Sequence, residues 1–144
     1  MTYVGIDPGA KGGIAVMDDK GFSVFPYSDS QLLKVAASLT DEDARCCLEQ
    51  VHSMPKQGVS STFKFGVSYG FTKGVLESHE ISYQEIPPQR WKKEFGLNSD
   101  KAASIEVCRR LFPSAVLRAS ERCRTDNDGM AEALLMAEYA RRKL

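Results

Sequence analysis

The sequence predicts an α/β protein with a five-stranded mixed sheet, in which a three-stranded antiparallel meander is joined by two parallel strands and helices cover both faces. Two observations predict this architecture. Three short apolar segments joined by tight turns open the chain, and two later predicted strands, 46–51 and 82–86, alternate with segments of helical periodicity. Tight turns connect antiparallel strands, whereas helical crossovers connect parallel strands. The length of 144 residues suits a single domain spanning 1–144.

The meander and its continuation occupy the first third of the chain. The predicted strands of the meander are 3–6, 14–17 and 22–25. The hairpin turn between the last two of them is expected to have Lys20 and Gly21 at its tip. Apolar residues at helical spacing then predict a helix over 30–39, which Ser28 or Asp29 caps. A buried fourth strand follows over 46–51.

The rest of the chain alternates loops, helices and one more strand. The predicted elements are a loop over 54–58, a helix from residue 60, a strand over 82–86 ended by two prolines, a helix over 102–112 and a helix from residue 128. Ser99 or Asp100 is expected to cap the helix over 102–112, and Asp126 or Asn127 the last helix. The predicted order is therefore β-β-β-α-β-α-β-α-α.

Composition excludes several classes of protein. No apolar run approaches the roughly 18 residues that a membrane span needs, and the N-terminus does not have the pattern of a signal peptide. A cytoplasmic protein without membrane contact is therefore expected. The cysteines form no CxxC pair and only two histidines accompany them, which argues against a structural zinc site. Adjacent Cys46 and Cys47 lie in an apolar run and are expected to be buried thiols.

The net charge of zero conceals an uneven distribution. Residues 1–86 contain 7 Lys and Arg against 11 Asp and Glu, whereas residues 87–144 contain 12 against 8. A basic surface opposite an acidic pocket is one interpretation, and random scatter in a short chain is the other. Only the first is typical of a nucleic-acid-binding protein.

Four acids at three separate places in the chain are candidate metal ligands. Asp7 directly follows the first strand, Glu49 lies within the apolar fourth strand, and Asp128 and Glu132 share one face of the last helix. A carboxylate in an apolar strand is costly to bury unless a cation compensates it. Convergent carboxylates suit Mg²⁺ or Mn²⁺, and two such ions about 3.5–4 Å apart can hold a scissile phosphate.

Each acid also has a purely structural interpretation. Asp7 stands in an Asp-Pro-Gly turn, and Asp128 and Glu132 can simply complement the dipole at the start of a helix. Glu49 is the hardest to explain in this way, because its neighbours are apolar. Asp126 is a further candidate that could replace or assist Asp128.

Three blocks of sequence carry a resemblance to a known family. They are Gly5-Ile6-Asp7-Pro8-Gly9, Leu48-Glu49-Gln50-Val51 and Asp128-Gly129-Met130-Ala131-Glu132-Ala133-Leu134-Leu135. In this order and spacing they resemble the RuvC family of Holliday-junction resolvases, in its compact phage-type branch. The resemblance implies an RNase H-like fold whose first and fourth strands are neighbours, with the last helix bringing its acids beside them. It also implies that Asp7, Glu49, Asp128 and Glu132 are the catalytic metal ligands.

The resemblance extends to candidate DNA-binding residues, with one departure. Bacterial members carry an aromatic residue three positions after the acid of strand four, where this chain has His52, which could stack weakly or merely end the strand. The candidates are His52, Lys56, Arg90, Lys92, Lys93 and Lys101, of which Lys92 and Lys101 match lysines that contact the DNA backbone in the family. Trp91 is expected either beside this basic cluster or in the core. Further phosphate contacts could come from Arg118, Arg122 and Arg124, although pairing with Glu121 is as plausible.

The resulting hypothesis is a magnesium-dependent crossover-junction endodeoxyribonuclease that hydrolyses phosphodiester bonds in branched DNA by a two-metal-ion mechanism. Mn²⁺ is expected to substitute for Mg²⁺. Symmetric incision of a four-way junction needs two active sites and hence a homodimer, for which the helix with Phe63, Val67 and Phe71 is the candidate interface. The alternatives are an RNase H-like nuclease acting on RNA, similar to the YqgF group, and a non-catalytic module that binds branched DNA.

Overall fold

The predicted five-stranded mixed sheet is confirmed by the computed structural model, which describes residues 1–52 and 55–144. The strands are β1 (Thr2–Asp7), β2 (Gly13–Met17), β3 (Phe22–Pro26), β4 (Ala44–Glu49) and β5 (Ser82–Ile86). Their order in the sheet is β3-β2-β1-β4-β5. The pairs β1–β2 and β2–β3 are antiparallel, whereas β1–β4 and β4–β5 are parallel.

Within residues 1–52 and 55–144, five helices accompany the sheet, one more than the sequence predicts. They are α1 (Asp29–Ser38), α2 (Val59–Ser78), α3 (Pro88–Glu94), α4 (Lys101–Leu111) and α5 (Asp128–Lys143). The missing prediction is α3, a helix of seven residues that begins directly after β5. It is too short for an apolar period to be visible, and Pro87 and Pro88 predict only the end of a strand. Proline is nonetheless favoured in the first turn of a helix, where its missing N–H has no partner to lose.

Side-chain caps resolve the alternatives at three helix starts. The Ser28 hydroxyl accepts a hydrogen bond from the backbone N–H of Gln31 at the start of α1. The Asp100 carboxylate caps α4. The Asn127 side chain accepts from the N–H of Met130 and caps α5, so that Asp126 is left for another role.

Two hydrophobic cores lie on the two faces of the sheet, as predicted. Alternate residues of β4 separate them, because Cys46 and Leu48 pack with α1 and α2 while Cys47 packs with α5. Cys46 and Cys47 are completely buried, which confirms them as core thiols, and burial raises the pKa of both. In α5, all residues from 129 to 140 are buried. This helix therefore lies across the sheet as the centre of one core.

The bounds of β4 correct the prediction for Glu49. The fourth strand runs over Ala44–Glu49 rather than 46–51, so Glu49 is its last residue and not an acid in mid-strand. The register explains the shift, since β4 pairs with β1 from Thr2 opposite Ala44 onward. Of the loop predicted over 54–58, Met54 lies outside the described residues. Within the two described stretches, no helix is both long and apolar enough to cross a bilayer.

Candidate metal centre

The candidate site lies where β1 and β4 end. These strands are parallel neighbours, so their last residues, Asp7 and Glu49, lie at the same edge of the sheet. Both carboxylates belong to the face that α5 covers, since they continue the alternation of Gly5 on β1 and Cys47 on β4. Asp128 and Glu132 enter from the first turns of α5. The topology therefore gathers acids from the beginning, middle and end of the chain.

Three glycines allow α5 to approach the sheet this closely. A Cβ atom on Gly5 would lie 2.0 Å from the carbonyl oxygen of Ala133 in α5. A Cβ on Gly13 would lie 2.5 Å from the carbonyl oxygen of Gly129, and one on Gly129 would lie 2.1 Å from that of Lys11. Real Cβ atoms do not occupy such positions, so the backbone of α5 rests directly on β1 and β2. A glycine within a strand or a helix is the sequence signal of such a close backbone approach.

Carboxylate oxygens of Asp7, Glu49 and Glu132 all lie within 4.8 Å of one another. Asp128 lies outside this group of three and is more exposed, with an oxygen 3.7 Å from the Lys101 ammonium. It is still close enough for its charge to raise the pKa of Asp7. Three of the four predicted acids thus converge closely, and the fourth stands beside them.

Burial and the mutual repulsion of the carboxylates raise the pKa values of Asp7 and Glu49 in the centre. Burial raises the pKa of Asp7 well above its ordinary value, and the charges of Glu49, Glu132 and Asp128 raise it further. Burial also raises the pKa of Glu49, opposed by a hydrogen bond from Trp91 and by the charge of Lys92. A divalent cation would remove this mutual repulsion. Because all three clustered donors are carboxylates, the site fits Mg²⁺ or Mn²⁺ and suits softer metals less well.

Neutral and cationic donors hold the acids from the side of α3 and α4. The indole Nε1 of Trp91 donates to Oε2 of Glu49 at 2.9 Å, and the Ser104 hydroxyl donates to Oε1 of Glu132 at 3.3 Å. Lys92 places its ammonium 3.6 Å from the same Glu132 oxygen and 5.5 Å from the centre of the Trp91 ring. The core position of Trp91 was one of two expectations, but its bond to Glu49 and the role of Ser104 were not foreseen.

Asp126 is held apart from the three clustered acids. Arg109 donates to its Oδ2 from Nε at 3.0 Å and from Nη2 at 2.5 Å. Arg118 lies 3.8 Å from its other oxygen. Asp126 therefore anchors the segment before α5 to α4, which favours Asp128 over Asp126 as the acid of the metal centre. The ion pair found for Arg118 in the described chain is with Asp126 and not with Glu121.

The predicted DNA-binding residues differ in their exposure. His52 is exposed three residues beyond Glu49, and Lys56 is exposed in the loop that leads to α2. Arg90 and Lys93 are exposed on α3, and Lys101 at the start of α4 is mostly exposed. Lys92 is the exception, because it turns inward to Glu132. Of the six candidates, five are therefore exposed and one contacts the clustered acids. The interpretation of the uneven charge as a basic surface opposite an acidic pocket stays a prediction.

Comparison with known proteins supports the fold at low sequence similarity. No protein-family model and no curated protein sequence matched the chain. Among solved structures, the chain is similar to Thermus thermophilus RuvC in complex with a Holliday junction substrate, with a TM-score of 0.62 and 16% identity over 99% of this chain and 97% of that one. It is also similar to a second Thermus thermophilus RuvC structure, with a TM-score of 0.59 and 18% identity over 99% and 96% of the two chains. The chain therefore has the RNase H-like fold of RuvC, as the resemblance of its motifs predicts.

Proposed function

We propose that this protein is a magnesium-dependent endonuclease that resolves four-way DNA junctions. The observation that carries the proposal is the convergence of Asp7, Glu49 and Glu132, whose oxygens lie within 4.8 Å of one another at the end of the sheet. Asp128, at the start of α5, is proposed as the fourth ligand. In a two-metal arrangement, Mg²⁺ ions held by these acids would activate water and stabilise the leaving oxygen of the phosphodiester.

The chain's own residues would prepare this chemistry in three ways. Asp7 and Glu49 are held by strand ends, and Glu132 by a helix whose backbone rests on the sheet, so the ligands are fixed before DNA arrives. Trp91 donates a hydrogen bond to Glu49 and Ser104 donates one to Glu132, and both bonds restrain the rotation of these carboxylates. Lys92 offsets part of the negative charge that an approaching phosphate would meet.

Branched DNA is the proposed substrate for two reasons. The similar RuvC structure of Thermus thermophilus was solved with a Holliday junction substrate. The candidate DNA-binding residues His52, Lys56, Arg90, Lys93 and Lys101 are exposed, and we propose that they bind phosphates on either side of the scissile bond. Three of the four free cysteines are buried, which accords with the proposed cytoplasmic location.

A homodimer is proposed because a four-way junction presents two equivalent strands for incision. The candidate interface is the outer face of α2, where Val59, Phe63 and Val67 follow one another at four-residue spacing and are 89%, 72% and 57% exposed. Phe71, the third residue of the predicted interface, instead packs partly against the core. Large apolar side chains aligned on one exposed helix face favour association with another surface.

The deciding experiment is cleavage of a synthetic four-way junction in Mg²⁺. Wild type is expected to produce paired incisions that EDTA abolishes, and Asp7→Asn is expected to produce none. Asp19→Asn removes an exposed acid from the remote β2–β3 turn and serves as the matched control. Equal cutting by wild type and Asp7→Asn would contradict the metal assignment.

The same assay separates the remaining activities. Faster cleavage of structured RNA than of junction DNA would indicate the RNA nuclease instead. Junction binding in EDTA, with no products in Mg²⁺ or Mn²⁺, would indicate a binding module without catalysis.

A further inference from the structure

We propose that Trp91 is a positioning residue, whose indole N–H fixes the Glu49 carboxylate for cation binding. The inference rests on the proposed function, because it assumes that Glu49 is a metal ligand. It goes beyond that function by assigning a role to a buried side chain that is not itself one of the proposed metal ligands.

The chain path brings Trp91 to Glu49. Glu49 is paired across the sheet with Ile86, the last residue of β5, and the N–H of Gln50 donates to the Ile86 carbonyl at 2.9 Å. The two prolines that follow start α3 immediately, so its first turn passes beside the end of β4. Trp91 is completely buried there, with Nε1 2.9 Å from Oε2 of Glu49.

The chemistry of the indole suits this position. An indole N–H can only donate, so its partner must be an acceptor and the contact favours the ionised carboxylate. It occupies Oε2 and restrains the rotation of the Glu49 side chain, which leaves Oε1 available to a cation. Partners that orient metal ligands in this way are a regular feature of metal sites.

The face of the same ring supports a second acid. The Lys92 ammonium lies 5.5 Å from the centre of the Trp91 ring and 3.6 Å from Oε1 of Glu132. Trp91 therefore donates a hydrogen bond to Glu49 from the edge of its ring. The face of the ring contacts the Lys92 ammonium, which pairs with Glu132. A buried phenylalanine would fill most of the same volume without the N–H.

Trp91 is the only tryptophan in the chain, so a tryptophan analogue that differs at one ring position changes this residue alone. Growth on benzothienylalanine replaces the indole N–H by sulfur and retains the shape of the ring. We expect this analogue, and likewise Trp91→Phe, to weaken Mn²⁺ binding by about tenfold to a hundredfold, as measured from the free Mn²⁺ signal in electron paramagnetic resonance. In wild type, paramagnetic Mn²⁺ should also quench the Trp91 fluorescence over the same concentration range.

Two controls distinguish positioning from a general contribution to the core. Leu32→Ala truncates a fully buried side chain in the core on the opposite face of the sheet, and it should lower stability to urea without changing Mn²⁺ affinity. In a Glu49→Gln background, the analogue should cause no further loss of affinity, because the carboxylate that the indole fixes is gone.

The outcomes separate this inference from the function beneath it. Absence of Mn²⁺ binding in wild type would overturn the proposed metal centre and the inference with it. Unchanged Mn²⁺ affinity in the analogue, with normal binding in wild type, would overturn the role of Trp91 alone. So would equal losses in Leu32→Ala and Trp91→Phe, or an undiminished effect of the analogue in the Glu49→Gln background.

Discussion

Gly5 of β1 lies directly beneath Ala133 of α5, so close that a Cβ atom on Gly5 would be 2.0 Å from the Ala133 carbonyl oxygen and 2.4 Å from the Ala137 nitrogen. Both neighbours are backbone atoms in a helix that is buried over most of its length. They cannot turn aside as a side chain would. Together with Gly13 and Gly129, Gly5 therefore sets the separation of α5 from the sheet, and with it the position of Glu132 relative to Asp7.

Gly5→Ala should accordingly damage stability and the metal centre together. We expect a loss of about 1–3 kcal/mol or more in the free energy of unfolding, because α5 must move outward, and a parallel loss of Mn²⁺ affinity. Urea denaturation and Mn²⁺ titration measure the two effects. Gly74→Ala in α2 is the control, since a Cβ there meets nothing within 4 Å, and it should stabilise the protein by up to about 1 kcal/mol. Retention of wild-type Mn²⁺ affinity by Gly5→Ala would contradict this account of the site.

The repulsion among the acids predicts how stability depends on pH without cations. The pKa values of Asp7 and Glu49 are raised above their ordinary values of 3.8 and 4.5, so the folded state keeps protons that the unfolded chain releases. The resulting contribution to stability is fully present below those ordinary values and is lost as pH rises through the folded pKa values. In EDTA, these two groups should therefore make the protein less stable at pH 7 than in mild acid.

Asp7→Asn isolates this effect from other titrating groups such as Glu138, whose pKa is lowered by Arg141 and Arg142 and whose contribution has the opposite sign. In EDTA at pH 7 we expect the variant to be more stable than wild type by about 1–3 kcal/mol, and the difference to shrink as the pH falls. Urea denaturation over a pH series measures it. Added Mg²⁺ should reverse the order, because only wild type binds the ion tightly. A constant difference across the pH series would show that Asp7 is not raised in pKa.

The choice between Asp126 and Asp128 leads to another prediction. Asp126 is paired with Arg109 on α4, whereas Asp128 stands beside the clustered acids. Asp128→Asn should therefore weaken Mn²⁺ binding by about tenfold or more, the scale of loss seen even for partners of metal ligands. Asp126→Asn should leave Mn²⁺ affinity unchanged and lower the free energy of unfolding by about 1 kcal/mol. The reverse pattern in the two Mn²⁺ titrations would reassign the ligand.

Sequence patterns predicted the sheet, four of the five helices in the described part of the chain, and all three acids that come within 4.8 Å of one another there. These features are local, because the hydrophobic periodicity of a strand or helix and its capping residues lie close together in the sequence. The placement of Glu49 was off because the end of β4 depends on its register with β1 and β5, which lie far away in sequence. The helix α3 is not predicted because the contacts that hold it, among them the burial of Trp91 and the ion pair of Lys92 with Glu132, are invisible without the fold.

The residues that surround the candidate ligands are even harder to predict from the sequence than the ligands themselves. The inward turn of Lys92 toward Glu132 joins residues 40 positions apart, and the family resemblance had suggested only a contact with DNA. The close approach at Gly5 likewise depends on a helix more than 120 residues away. Spacing along the chain can nominate acids for a metal centre, but the groups that fix and neutralise them emerge only from tertiary packing.

Lys92 should act as an internal counter-charge that a cation can replace. Lys92→Met keeps the aliphatic stem but removes the ammonium beside the well-buried Glu132, and should cost about 1–3 kcal/mol of stability in EDTA at pH 7. Mg²⁺ should restore most of this loss.

The matched control is Lys73→Met. Lys73 also lies over an aromatic ring, that of Tyr69, and its ammonium lies 3.5 Å from a Glu85 oxygen, but this ion pair is more exposed. It should cost less than about 1 kcal/mol, with no response to Mg²⁺. Equal, Mg²⁺-independent losses in the two variants would rule out this role.

The exposed face of α2 predicts that a single charge will separate the proposed dimer. Phe63→Glu should reduce the mass in solution from twice 15.9 kDa to 15.9 kDa, because the glutamate would lose its hydration on burial in an apolar interface. Val116→Glu is the control, since Val116 and Phe63 are each 72% exposed but only Phe63 lies on α2. Light scattering coupled to size-exclusion chromatography measures the mass. Junction cleavage should change from paired to uncoordinated incisions in Phe63→Glu, with Mn²⁺ affinity intact, because the proposed metal ligands all belong to one chain. An unchanged mass in Phe63→Glu would move the interface elsewhere, and a monomeric wild type would remove the dimer from the proposal.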